Sequence, residues 1–269
     1  MLDLKNAVAE TIVINPPHLP LRRAASQALC KAAGLEQVRF SEGTTGLPHQ
    51  LACALAHRKA MNAVRAWPSL VLEDDLELAP GAAVLPPLPE DADIVYLSVS
   101  PFGCLPWTYD NLALARHRAV QGLALASVHD ADWLKLHSMS GAVAILYVTE
   151  KGLDTWKQAT LHSRRFGGAF DVFTAYAMKD INVYAPHRPV FCEDPALQRD
   201  DLRQNAGLFE QRLNFTRTPL RTFAAGDRTV VTYKGQIITV EAVAIEEDTL
   251  QWAVVDVTRA APATSAPAG

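Results

Sequence analysis

Two places in this sequence hold carboxylates in a pattern that suggests chemistry. Glu73, Asp74 and Asp75 are adjacent and follow the apolar run Leu70-Val71-Leu72 directly. Asp171 follows the glycine pair Gly167-Gly168 through Ala169 and Phe170. Neighbouring carboxylates repel one another, so a fold that keeps three together needs a cation or a hydrated edge. Hard divalent cations such as Mg²⁺ and Mn²⁺ take carboxylate oxygens and can hold substrate phosphates at the same time. A single carboxylate delivered by a glycine turn suits a general base. It equally suits an N-cap of the helix that follows, and one aspartate can do both. For the triplet, the competing reading is a solvated acidic turn.

Position in the fold bears on that choice. Leu70-Val71-Leu72, entered through Trp67-Pro68, reads as a short buried strand with the triplet at its end. In an open α/β sheet, ligands bind at the carboxyl ends of the strands. Other apolar runs supply neighbours for it: residues 11–14, closed by Asn15-Pro16-Pro17, then 37–40, 93–97, 140–148 and 182–186. Helical patterns lie between them, from Arg22-Arg23 to Ala33 with Gly34 as the stop, and over 48–66, 149–159 and 172–178. His57 falls inside the second of these helices and reads as a structural hydrogen-bonding residue. The alternation predicts an α/β fold with a mostly parallel central sheet flanked by helices.

Residues 104–137 show no clean period and read as a long irregular region of the kind that forms lids or acceptor loops. Trp107, Tyr109 and Trp133 there are candidates for stacking on a sugar or base, or for the core. Beyond Pro219, strand-like runs at 229–233, 236–244 and 250–257 predict a small three-stranded β extension. The expected division is an α/β domain over 1–218, the extension over 219–259, and a disordered small-residue tail over 260–269.

Composition narrows the classes. Hydrophobic residues make up 49% of the 269 and charged residues 20%, enough to build a core and too apolar for a disordered chain. A net charge of −4 gives no general attraction to nucleic acid or acidic membranes. Cys30, Cys53, Cys104 and Cys192 lack the spacing of a zinc cluster or a disulfide framework, so reduced thiols are expected. No signal-length apolar segment opens the chain, and no stretch approaches the ~20 apolar residues of a membrane span. A cytoplasmic protein is the expectation, reaching any membrane-bound substrate from outside the bilayer.

In this order the features resemble glycosyltransferase family 25, the lipooligosaccharide galactosyltransferase-like group with a GT-A type fold. The resemblance is carried by Ile12-Val13-Ile14-Asn15 with Arg22-Arg23, by Cys53-Ala54-Leu55-Ala56-His57, and by Leu70 through Asp75. Asp93-Ile94-Val95-Tyr96-Leu97, Gly141 through Gly152, and Phe170-Asp171 complete it, over about residues 11–202. The family has Cys-x-x-Ser-His where this chain has Ala56 before His57. Leu47-Pro48-His49-Gln50 replaces its glycine-glutamate pair, and Arg199-Asp200-Asp201-Leu202 is the nearest match to its closing Ser-Asp-Ile.

The resemblance implies a GT-A-like sheet and a metal-dependent transfer of a sugar from a nucleotide-sugar donor, UDP-linked, to an acceptor hydroxyl with inversion. It implies Mn²⁺, or Mg²⁺ in its place, on Asp75, with Glu73 assisting at the metal. Asn15, Arg22, Glu73 and Asp74 fall on the donor side, and Asp171 is the candidate base. The acceptor is left open among a cell-surface saccharide, a protein hydroxyl and a modified nucleic-acid base. Two other functions fit the same residues: a metal-dependent nucleotidyl or phosphoryl transferase, and a catalytically silent binding module of the same fold.

Overall fold

The structure is a computed structural model that describes residues 4–82, 85–107, 119–197 and 219–259. Along the chain run β1 (Glu10–Asn15), α1 (Pro20–Ala32), β2 (Val38–Glu42), α2 (His49–Asn62), β3 (Ser69–Glu73), β4 (Leu76–Leu78) and β5 (Ile94–Tyr96). Then come β6 (Phe102–Gly103), β7 (Val120–Gln121), β8 (Leu125–Val128), β9 (Trp133–Ser138), β10 (Ala144–Tyr147), α3 (Glu150–Phe166) and α4 (Phe170–Ala177). β11 (Val183–Pro186) and β12 (Phe191–Glu193) close this part, and β13 (Arg228–Tyr233), β14 (Gln236–Glu246) and β15 (Thr249–Arg259) follow.

The central sheet has the order β2-β1-β3-β10-β5-β11-β9-β8. β2, β1, β3, β5, β11 and β8 point one way, while β10 and β9 oppose them, so the sheet is mixed and mostly parallel. Its inner strands are apolar on both faces because both faces are covered. On one face Ile12, Ile14, Val71, Ile94, Tyr96 and Ile145 pack with α2, α3 and α4. On the other, Val13, Leu70, Leu72, Val95, Ala144 and Leu146 pack with α1 and the segment before β1. Strand side chains alternate between faces, and that alternation divides the two clusters.

Helix α3 is seated by local chemistry. The Thr149 side chain caps it by accepting from Gly152 N–H, and Thr149 Oγ1 also donates to Asp93 at 2.7 Å. Gly152 touches the strand backbone: a Cβ there would meet Asp93 O at 2.5 Å. Gly167 ends the helix in the left-handed region at φ 74°, which glycine adopts without steric cost, and turns the chain into α4.

Several expectations need correction. Leu125–Val128 and Trp133–Ser138 are regular, supplying β8 and β9 to the central sheet. Helix α2 stops at Asn62 and does not reach 66, because the Arg65 and Ala66 amides turn to the buried Glu10 carboxylate at 2.5 and 2.8 Å. β13, β14 and β15 form the expected three-stranded sheet. It packs Val231, Ile238, Val240 and Trp252 onto Leu105, Val120, Leu123 and Leu125. The four cysteines are free thiols. Among the described residues no helix is long and apolar enough to cross a membrane. The expected tail at 260–269, Tyr109, and Arg199-Asp200-Asp201 lie outside the described residues.

Candidate active site

β1 and β3 are parallel neighbours in which Ile14 pairs with Glu73, so Asn15 and Asp74 leave the sheet at one level. Asn15 Nδ2 donates to Asp74 Oδ2 at 2.7 Å and Arg22 Nη1 donates to Asp74 Oδ1 at 2.8 Å. Arg22 Nη2 also donates to Leu197 O at 2.5 Å. The Asp74 carboxylate is buried, with one oxygen on each partner. Asn15, Arg22 and Asp74, expected on the donor side, thus bond one another and clasp β1, α1 and β3 together. Arg23 is turned away, its guanidinium 4.1 Å above the Phe40 ring.

Glu73 and Asp75 are placed differently. Glu73 is the last residue of β3, and its side chain stays 33% exposed. Asp75 is the second residue of the two-residue link to β4, and its backbone carbonyl accepts from Asp194 N–H at 2.8 Å. Arg22 Nη1 lies 3.4 Å from Asp75 Oδ2. Burial pushes the Asp75 carboxyl up to about 8, and the charge of Glu73 pushes the same way. Arg22 opposes them, while Glu193 and Asp74 add to the rise. Asp75 nevertheless keeps 14% of its side-chain surface, so it lies deep but reachable.

Glu193 was not foreseen as part of this site. It ends β12, opposite Leu76 of β4, and is buried. A signal was present: Glu193-Asp194 follows Val190-Phe191-Cys192 as Glu73-Asp74 follows Leu70-Val71-Leu72, an acidic pair directly after an apolar strand.

Asp171 lies in the first turn of α4, behind an Ala169 N-cap position that makes no side-chain capping bond. It is therefore not the N-cap. Its Oδ2 instead accepts a short hydrogen bond from Ser140 Oγ. Burial raises the Asp171 carboxyl above the ordinary carboxylate range; Ser140 pulls it down, and Glu73 adds to the rise. The residue as a whole is half-buried. His57 of α2 links the two places: its Nε2 lies 3.1 Å from Glu73 Oε1 and its ring packs on Phe170, the residue before Asp171, with centroids 4.8 Å apart.

Trp107 is half-exposed and packs edge-on against Tyr176 of α4 at 5.3 Å. Trp133 is buried elsewhere: its indole donates to Pro87 O at 3.0 Å beside a groove of about 540 Å³ that also takes in Asp91, His129 and Asp130. His162 packs on Phe166 and Phe173, and His187 pairs with Asp130 O, so neither joins the carboxylates.

Among the described residues, no group of three or more His, Cys, Asp or Glu is arranged to hold a metal ion unaided. Mg²⁺-type ions in nucleotide enzymes commonly use one or two carboxylates, with substrate phosphates and water completing the shell. Glu73 and Asp75 fit that form: both are reachable, and they crowd negative charge with only partial offset from Arg22.

No protein-family model matches the chain, and no curated protein matches it. Among solved structures it is similar to the CTP:phosphocholine cytidylyltransferase LicC from Streptococcus pneumoniae. Identity is 12% over 77% of this chain and 81% of that one, with a TM-score of 0.36, an overlap too loose to assign an activity by.

Proposed function

We propose that this chain is a metal-dependent glycosyltransferase that moves a sugar from a nucleotide-sugar donor to an acceptor hydroxyl. The observation that supports it is that His57 touches both Glu73 at the end of β3 and Phe170, next to Asp171, at the start of α4, which brings the two carboxylate-bearing segments side by side. Transfer from a nucleotide sugar makes two demands on the protein. The departing diphosphate needs its charge neutralised, and the acceptor hydroxyl needs its proton taken as it attacks.

Glu73 and Asp75 would hold a divalent cation, Mn²⁺ or Mg²⁺, together with the diphosphate oxygens. When bound, that cation supplies Lewis-acid stabilisation of the leaving group. Asp171 would accept the acceptor's proton; its raised pKa makes it a stronger base than a solvated aspartate. Ser140 holds one of its oxygens and so fixes the direction of the carboxylate. Asp74, Asn15 and Arg22 form the rigid clasp behind Glu73 and Asp75. The half-exposed Trp107, packed on α4, offers a face on which a sugar ring can stack.

Nucleotidyl transfer from a nucleoside triphosphate is the second reading. The same pair of carboxylates would hold its cation, and it makes no demand on Asp171. A thermal-shift screen with UDP-sugars, other nucleotide sugars and CTP, each with and without Mn²⁺, separates the two. Mn²⁺-dependent stabilisation by nucleotide sugars, with sugar transfer lost in Asp171→Asn, supports glycosyl transfer. Stabilisation by CTP, with diphosphate release that survives Asp171→Asn, selects nucleotidyl transfer. No response to any nucleotide removes both.

A further inference from the structure

His57 on α2 is sealed from solvent at 2% exposure, yet one side of its ring reaches the reacting edge. Its Nε2 lies 3.1 Å from Glu73 Oε1. Its Nδ1 is buried and has no hydrogen-bond partner among the described residues. The ring packs on Phe170, the residue before Asp171, with centroids 4.8 Å apart. One side chain therefore touches both the end of β3 and the start of α4.

These contacts fix the imidazole. A proton on Nδ1 would be a buried donor with no acceptor, which costs about 1–3 kcal/mol. A proton on Nε2 has a carboxylate to receive its hydrogen bond. The contacts thus select Nε2–H as the donor to Glu73. As core filler it would be a poor choice, since phenylalanine could pack on Phe170 without burying an unsatisfied nitrogen. What a histidine adds over a phenylalanine here is the Nε2–H.

We propose that His57 is a positioning residue: its Nε2–H holds the Glu73 carboxylate at the edge shared with Asp75 and Asp171, leaving Oε2 turned to the cation and nucleotide. The role rests on the proposed reading of Glu73 as part of the cation site. Without His57 the Glu73 side chain would be free to swing among rotamers, and its oxygen would be presented only part of the time. Residues that orient metal ligands in this way typically account for about 10–100-fold in metal affinity or activity.

The test uses the full chain, with His57→Phe to keep the ring and remove the donor, and His57→Gln to restore an N–H. Mn²⁺ alone is the binding probe, followed by electron paramagnetic resonance. The metal-free imidazole is read by ¹⁵N NMR in the wild type and in Glu73→Gln. The expected result is an Nε2–H tautomer whose signal moves in Glu73→Gln. Alongside it, Mn²⁺ affinity should fall about 10–100-fold in His57→Phe at a near-normal melting temperature, and recover in large part in His57→Gln. Wild-type Mn²⁺ binding in His57→Phe, or an Nδ1–H tautomer, overturns the proposal. If His57→Phe fails to fold, the NMR pair and His57→Gln decide: a signal indifferent to Glu73→Gln overturns it. A wild type that binds no Mn²⁺ removes the cation site itself, and the NMR arm still reports separately whether His57 holds Glu73.

Discussion

Lowering the pH should loosen the attachment of the C-terminal extension through one residue, His137. It lies on β9, buried, with Nε2 2.8 Å from Ser127 Oγ and Nδ1 accepting Leu250 N–H at 3.2 Å. Protonation of Nδ1 would turn that acceptor into a donor facing a donor and break the link between β9 and β15. Burial depresses the pKa of His137 from 6.5 to about 4, with Lys135 adding to the drop and Asp248 opposing it. A depressed pKa means that the unfolded chain takes up the proton first. Stability is complete above pH 6.5 and is lost as pH falls toward 4. From the two pKa values, moving from about pH 7.5 to about pH 5 costs about 2 kcal/mol, of a full gap of about 3 kcal/mol. Urea unfolding of the wild type and His137→Gln at both pH values isolates the effect, since every other group titrates alike in the two proteins. The stability of the wild type relative to the variant should fall by about 2 kcal/mol on acidification. A difference that stays constant with pH would show that His137 titrates normally, and the buried link with it would be wrong.

Three further outcomes follow from the site and its frame. Asp75→Asn should abolish Mn²⁺-dependent transfer while raising the melting temperature at neutral pH. A carboxyl lifted from 3.8 to about 8 costs stability as pH climbs through that range, so the gain should fade toward pH 4; a lower melting temperature at neutral pH would contradict it. Asp171→Asn keeps an oxygen for Ser140 and, with the same sign, should not lower the melting temperature at neutral pH, while turnover drops by about two to four orders of magnitude, which single-turnover kinetics will read. Gly152→Ala gains helix propensity, yet its Cβ would lie 2.8 Å from Ile94 Cγ1 and closer still to Asp93 O. A net loss of about 1–3 kcal/mol in urea unfolding is expected, and a stabilised variant would show that α3 is not seated as tightly as described.

The amino-acid sequence by itself determined the elements whose stability is local or whose burial is complete. β1, β3, β5 and β10 are legible because strands covered on both faces must be apolar throughout. The start of α3 is legible because Thr149 caps the helix from within its own first turn. The carboxylates at the end of β3 were legible for the same reason, since an acidic triplet cannot continue a buried strand. Direction and pairing were not. Apolar alternation reads the same in either direction, so only the assembled sheet shows β10 running against β3 and β5. β8 and β9 escaped because β9 buries Lys135 and His137, whose partners Asp248 and Leu250 lie 113 residues away in the extension. Any local window sees those two residues as surface. The clasp has the same origin: Asp74 is satisfied by Arg22 and Asn15 across 52 and 59 residues. Sequence spacing gives three polar residues near strand ends. Tertiary structure decides that they hold one another and leaves Glu73 and Asp75 beside them partly exposed.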